Sequence, residues 1–203
     1  LKDVKGVYTL LTGSTPPPLF IDNYFLSDRI LAAMPLLKIL SYPDPRLRKK
    51  SAPVERIDKE IERLLDDMVE TMYKAPGVGL AAPQVGVNLR VIVVDVSVRQ
   101  EDTPGLIQLI NPEIISSEGR EVEEEGCLSV PGFSSEVRRK ATVRVQGLDR
   151  TGKLVEIEGS GLLARAFQHE IDHIDGILYI DRLSRLKREL MKKKIEKALI
   201  KEG

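Results

Sequence analysis

The sequence predicts an α+β fold: antiparallel or mixed sheets around a central helix bearing an HExxH motif. An amphipathic helix lies in the N-terminal half and another helix closes the chain. Three observations carry this expectation. Strand-like segments cluster in the middle of the chain with helical ones around them, which fits α+β better than strict βαβ alternation. Residues 57–74 carry a helical apolar stripe. Residues 89–96, LRVIVVDV, are short and rich in β-branched side chains, as buried strands are.

Taken in order, the elements follow from spacing and punctuation. Ile61, Leu64, Leu65, Met68, Val69 and Met72 fall on one helical face, and Pro76-Gly77 ends that helix. Residues 108–115 and 130–137 read as further strands. Residues 141–147 alternate Val143 and Val145 with polar neighbours. Asp149-Arg150-Thr151-Gly152 is a turn, and 154–157 return as the second strand of a hairpin. Ser160 is placed to cap a helix over 162–174, with Gly176 ending it. A last helix spans 181–202. No internal repeat is present.

Composition narrows the field. The chain has 203 residues, 42% apolar and 31% charged, a globular balance. Lys plus Arg and Asp plus Glu each number 31, so a globally basic nucleic-acid binder is excluded while a local patch is not. No run of 18 apolar residues offers a membrane helix. One cysteine forms no internal disulfide. Residues 1–33 differ from the rest: they hold Pro16, Pro17 and Pro18, and four of the nine aromatics. The prolines and Asp22 break any secretory apolar core, and the stretch is too acidic for a transit peptide. We expect an extension outside a main domain of residues 34–203. The rival is an arm that packs through Leu19, Phe20 and Phe25.

Both histidines lie in His169-Glu170-Ile171-Asp172-His173. A spacing of four stacks the imidazoles on one helical face, where two nitrogens grip one divalent metal. Glu170 is adjacent, within reach of a water at that metal. The apolar turns before it, with Leu162, Leu163, Ala166 and Phe167, argue against two solvated surface histidines. A catalytic centre needs a third protein ligand. Tyr179 stands where a metzincin protease has a third histidine, and Glu189 and Glu196 lie in a Lys-rich helix that reads as solvated. Cys127, in Glu125-Gly126-Cys127-Leu128-Ser129, is the better donor. Two neutral imidazoles and one thiolate leave a divalent ion with a single positive charge, tempering its Lewis acidity relative to three histidines. The glycine-rich run from Gly77 to Gly86 lacks both the third glycine of a dinucleotide loop and the lysine of a phosphate loop. It fits a close backbone approach to an extended ligand, with Gln84 aimed at a carbonyl. A metalloprotease with another third ligand and a structural metal module are the rival readings.

GVGLAAPQ, EGCLS and HEIDH, in that order, resemble the three signature motifs of the peptide deformylases. The resemblance covers roughly residues 34–202 and departs at no chemical position. It implies a metal-dependent hydrolase that removes the N-formyl group from N-formyl-methionyl nascent peptides, releasing formate. It makes the HExxH helix the metal-binding one and implies Cys127, His169 and His173 as ligands of one divalent ion. The resemblance further implies Fe(II) as the native ion, with Zn, Ni or Co able to occupy the site. It assigns proton transfer to Glu170 and oxyanion stabilisation to the Gln84 amide and the Leu128 backbone N–H. Gly79 would hydrogen-bond the substrate backbone. Val78 is a candidate wall of the methionine pocket, as are Leu162, Arg165 and Ala166, which share a helix face with His169. The Arg165 stem is expected to line the pocket, with its guanidinium at the rim. Residues 181–203 carry nine basic and four acidic side chains, with Leu183, Leu186, Leu190 and Ile195 as an apolar stripe. A basic C-terminal helix of this kind docks on the ribosome in some deformylases; a plain solvated helix is the alternative. No membrane partner is expected, and with no targeting signal the expected location is cytoplasmic.

Overall fold

The computed structural model describes residues 36–202 apart from residue 102. The expectation for residues 1–33 therefore lies outside the described residues. Helix α1, Lys59–Lys74, starts where the Asp58 side chain accepts the N–H groups of Glu60 and Ile61, at 3.0 and 3.2 Å. That cap sets the start two residues later than the apolar pattern alone suggests. Strands β1 (Gly79–Ala81), β2 (Val91–Val94), β3 (Ile107–Glu118), β6 (Thr142–Leu148) and β7 (Leu154–Ser160) form one sheet in the order β1-β2-β3-β6-β7. Strands β4 (Glu121–Gly126) and β5 (Ser134–Arg139) form a separate pair. Every pairing between these strands is antiparallel.

Helix α2, Gly161–Ile174, packs Leu163, Ala164, Phe167 and Ile171 with Ile92, Val94, Val143 and Val145. Helix α1 packs Ile61, Leu65, Met68 and Met72 with Leu80, Val91, Val93 and Ile110. Alternate residues of β2 thus enter different apolar clusters, and all four are fully buried. That explains an unbroken apolar run where a half-exposed strand would alternate. Helix α3, Arg185–Glu202, closes the chain; among the described residues no helix is long and apolar enough to cross a membrane.

Several expectations are corrected. β1 lies inside the glycine-rich run that reads as loop. β4 is missed because four of its six residues are glutamate. Residues 130–133 are a turn, with Gly132 at φ +79°, so β5 begins only at Ser134. Ser160 occupies the cap position of α2, but its side chain makes no capping bond; Gln100 Oε1 accepts the Leu163 N–H at 3.3 Å instead. The segment expected to be one helix from 181 begins as a 3-10 turn, Tyr179–Arg182, and α3 follows. Its buried side chains are Leu183, Met191 and Ile195; Leu186 and Leu190 of the expected stripe are 71% and 53% exposed.

Gly176 ends α2 as expected, with φ +76° and its N–H on the His173 carbonyl at 3.1 Å. A Cβ there would meet the Arg48 carbonyl oxygen at 2.6 Å. Gly176→Ala therefore combines a strained φ with a backbone clash. It is expected to cost at least about 2 kcal/mol of stability, read by denaturant unfolding.

Candidate functional site

The His169 and His173 rings meet edge-on along α2, with centroids 5.0 Å apart at 74°. Cys127 follows the last residue of β4, and its sulfur lies 3.2 Å from His173 Nε2. One donor atom from each of Cys127, His169 and His173 falls within 4.8 Å of the others, close enough to share one ion. Burial holds the His173 imidazole well below its usual pKa, in the neutral form that a ligand needs. Burial also disfavours a charged His169, yet the neighbouring Cys127, Glu125 and Glu170 outweigh it and raise its pKa well above normal. One thiol and two imidazoles are a fitting donor set for a borderline transition metal.

The sulfur is held in place from two sides. The Ser129 N–H donates to Cys127 Sγ at 3.3 Å, and Gln84 Nε2 approaches it at 3.6 Å. Gln84 is itself fixed: its Oε1 accepts the Ala81 N–H at 2.8 Å, and its Nε2 donates to Ser129 Oγ at 3.2 Å. The amide N–H groups therefore point toward the sulfur side of the site.

Glu170 is 4% exposed, and burial pushes its pKa up to about 7. Its Oε2 has no hydrogen-bond partner among the described residues. Gly79 packs directly against this side chain: a Cβ at Gly79 would sit 2.8 Å from the Glu170 carboxyl carbon and 2.9 Å from its Cγ. The second glycine of the GVG run is thus required by the carboxyl behind it.

The support around His169 is absent from the sequence reading. Glu125 Oε2 accepts from His169 Nδ1 at 3.1 Å. That contact places the Nδ1 proton toward Glu125 and leaves Nε2 as the donor atom for an ion. Arg139 grips the same carboxylate with Nε and Nη2, at 2.8 and 3.0 Å, and reaches Asp172 with Nη1 at 2.5 Å. Arg182 donates to Asp172 from the other side. Burial opposes ionisation of Glu125, but its bonds to His169 and Arg139 prevail and hold its pKa at about 2. Only position signals Glu125 in the sequence, two residues before the cysteine; nothing there links it to Arg139 or Asp172. The Tyr179 ring stacks beside His169, centroids 6.2 Å apart at 22°, and its hydroxyl donates to the Phe133 carbonyl at 3.1 Å.

A cleft of about 530 Å³ opens over this centre. It is lined by Val78, Gly79, Gln84, Cys127, Leu128, Leu162, Arg165, Ala166, His169 and Glu170, every singled-out residue except His173, which is buried behind it. Phe133, Val130 and Arg99 also line it and are not among the expected site residues. Arg165 lines the cleft, and its guanidinium donates to Glu121 Oε1 at 2.8 Å, a partner the expectation did not name and one that ties α2 to β4. Glu189 and Glu196, the alternative third ligands, are exposed on α3.

An HExxH helix whose two imidazoles meet a thiol, with the motif's glutamate buried beside them, defines a metal-dependent hydrolase. The polypeptide deformylase family pattern matches residues 36–189. The chain belongs to that family. It is 58% identical over 163 residues to a peptide deformylase of Thermodesulfovibrio yellowstonii, covering 80% of this chain and 98% of the relative. It is 55% identical over 166 residues to one from Syntrophobacter fumaroxidans, covering 82% and 97%. The crystal structure of the Legionella pneumophila peptide deformylase superposes with a TM-score of 0.76 at 50% identity, covering 83% of this chain and 98% of that one. A Synechococcus elongatus peptide deformylase, solved in complex with actinonin, gives 0.73 at 42% identity, covering 81% and 89%.

Two predictions follow from this packing. Gly79→Ala displaces the Glu170 carboxyl without touching a donor atom. Formate release should fall by at least about tenfold while metal content, measured by elemental analysis, is unchanged. Glu125 has a folded pKa of about 2 against an ordinary 4.5. Its ionised form therefore stabilises the fold above pH 4.5, and that contribution disappears as pH falls toward 2. The shift corresponds to roughly 3 kcal/mol. Glu125→Gln should flatten the loss of stability across this window in acid unfolding curves.

Proposed function

We propose that the chain hydrolyses the formyl group from N-formyl-methionyl nascent peptides, with Cys127, His169 and His173 holding one Fe(II) ion. The observation that carries this is the convergence of the three donor atoms beside a buried Glu170 at one cleft. When bound, the ion supplies Lewis acidity and lowers the pKa of a water. Zn, Ni or Co fit the same donor set, and availability decides among them.

The chain's own residues account for the rest. Glu170 has a carboxyl whose pKa near 7 suits it to both halves of a proton transfer at neutral pH. It takes a proton from the attacking water and returns it to the leaving amine nitrogen as the formamide C–N bond breaks. The Gln84 amide, fixed through Ala81 and Ser129, donates to the oxyanion that develops on the formyl oxygen. The Leu128 backbone N–H is its partner in this role. Gly79 offers close backbone approach to the formyl-methionine. Val78, Leu162, Ala166 and the stem of Arg165 form the apolar pocket for the methionine side chain, with the Arg165 head neutralised by Glu121.

The ribosome is the proposed partner, engaged through α3, and the cytoplasm is the proposed location. Exposed Leu186, Leu190 and Ile200 beside exposed Lys193, Lys194 and Lys197 support that docking surface.

Protein purified without oxygen should contain iron and release formate from formyl-Met peptides. Glu170→Gln should retain the ion and lose about 10² to 10⁴ in kcat. Cys127→Ser should lose the ion; retained metal with endopeptidase activity would establish a protease instead. Replacing Lys193, Lys194 and Lys197 with Ala should weaken salt-sensitive co-sedimentation with ribosomes and leave formate release unchanged.

A further inference from the structure

A second cleft, of about 440 Å³, opens on a different face of α2. Asp172 lines it from the helix. Arg120 enters from the turn between β3 and β4, Arg138 and Arg139 from β5, Lys140 from just beyond it, and Arg182 from the turn before α3. Five cations and one carboxylate thus meet in a chain whose formal net charge is zero.

The charges divide into two sets. Arg139 and Arg182 are matched by Glu125 and Asp172, and their guanidiniums are already directed at those carboxylates. Arg120, Arg138 and Lys140 are exposed, and none pairs with a carboxylate among the described residues. Each is nevertheless held in place through its backbone. Arg120 follows Gly119, whose φ of +64° turns the chain. Arg138 is paired with Val122 across β4 and β5. The Lys140 N–H and carbonyl are both bonded to the Gln168 side chain at 3.0 Å. Three uncompensated cations are therefore presented by fixed backbone to one concavity. Among the described residues no aromatic ring lines it, so these residues offer no platform for stacking a base and read charge and oxygen. A carboxylate would use one or two of these cations. A phosphate group, with more negative charge and several acceptor oxygens, matches three.

We propose that this second cleft binds a phosphate group, its oxygens held by Arg120, Arg138 and Lys140, whether the phosphate is free or part of an RNA backbone. The site would lie one ion pair from the metal centre's support, because Arg139 and Asp172 border both.

The test uses the full chain with its metal. Calorimetric titrations at low ionic strength, with inorganic phosphate and with single-stranded oligouridylate, should give saturable binding of at least one. On addition of that probe, amide chemical shifts should change at residues 120, 138–140 and 168. The R120A/R138A double variant should weaken binding at least about tenfold, and R120K/R138K should restore most of it. These side chains are exposed and pair with no carboxylate among the described residues, so melting temperatures should stay near that of the unaltered protein. The single variants R120A and K140A carry the same test should the double variant be unstable. Phosphate binding alone identifies a free anion. RNA binding whose salt-dependence slope drops by about 1.4 in the double variant identifies backbone phosphates. Phosphate held at the metal would be indifferent to these substitutions. Binding of neither probe, or equal binding by the unaltered protein and the variants, overturns the proposal.

Discussion

The Arg139 guanidinium is the contact on which the candidate metal centre depends. It sits on β5, grips Glu125 on β4 and reaches Asp172 on α2, so a single side chain fastens the two-stranded unit to the helix that carries both histidines. Arg139 and Glu125 are each 3% exposed at their side chains. Charges this deeply buried persist only when paired, and removing one partner leaves the other stranded at a cost of about 3–5 kcal/mol. The pairing also gives Glu125 its fixed orientation, and Glu125 in turn orients His169.

Electrostatics and packing meet again at Glu170. Its carboxyl is buried against the Gly79 backbone, and its Oε2 has no hydrogen-bond partner among the described residues, an arrangement that opposes folding. The same desolvation brings its pKa to the neutral range. Two carboxyls within one site are thereby driven in opposite directions. Glu125 is kept ionised by its cations, and Glu170 is left ready to exchange a proton.

The legible parts of the molecule are those whose signals are local. HEIDH, EGCLS and GVGLAAPQ each hold their groups within one helical turn or one tight bend, so each motif is legible locally, and the resemblance implies that the three meet at one site. Helix α1 and strand β2 announce themselves because burial fixes the apolar period of each. The illegible parts depend on partners far along the chain. Arg139 lies 14 residues from Glu125 and 33 from Asp172, and all three are among the commonest surface types. β4 is hidden because four of its six residues are glutamates, its one valine is exposed, and only Glu125 is buried. The α3 stripe is misplaced because its apolar residues fall around the whole helix, and tertiary packing alone decides that Met191 and Ile195 go inward while Leu186 stays out. The Arg165 head group lands on Glu121, a choice no helical wheel contains.

Every thiol and imidazole in the sequence belongs to Cys127, His169 and His173, and one donor atom from each lies within 4.8 Å of the others. The protein therefore carries a background-free reporter of its own centre. Alkylation by a thiol reagent has one target, and the imidazole region of a proton spectrum holds two rings. Protection of that single sulfur, or a displacement of those ring resonances, reads the occupancy of the centre in the intact chain without a substrate and without an engineered label.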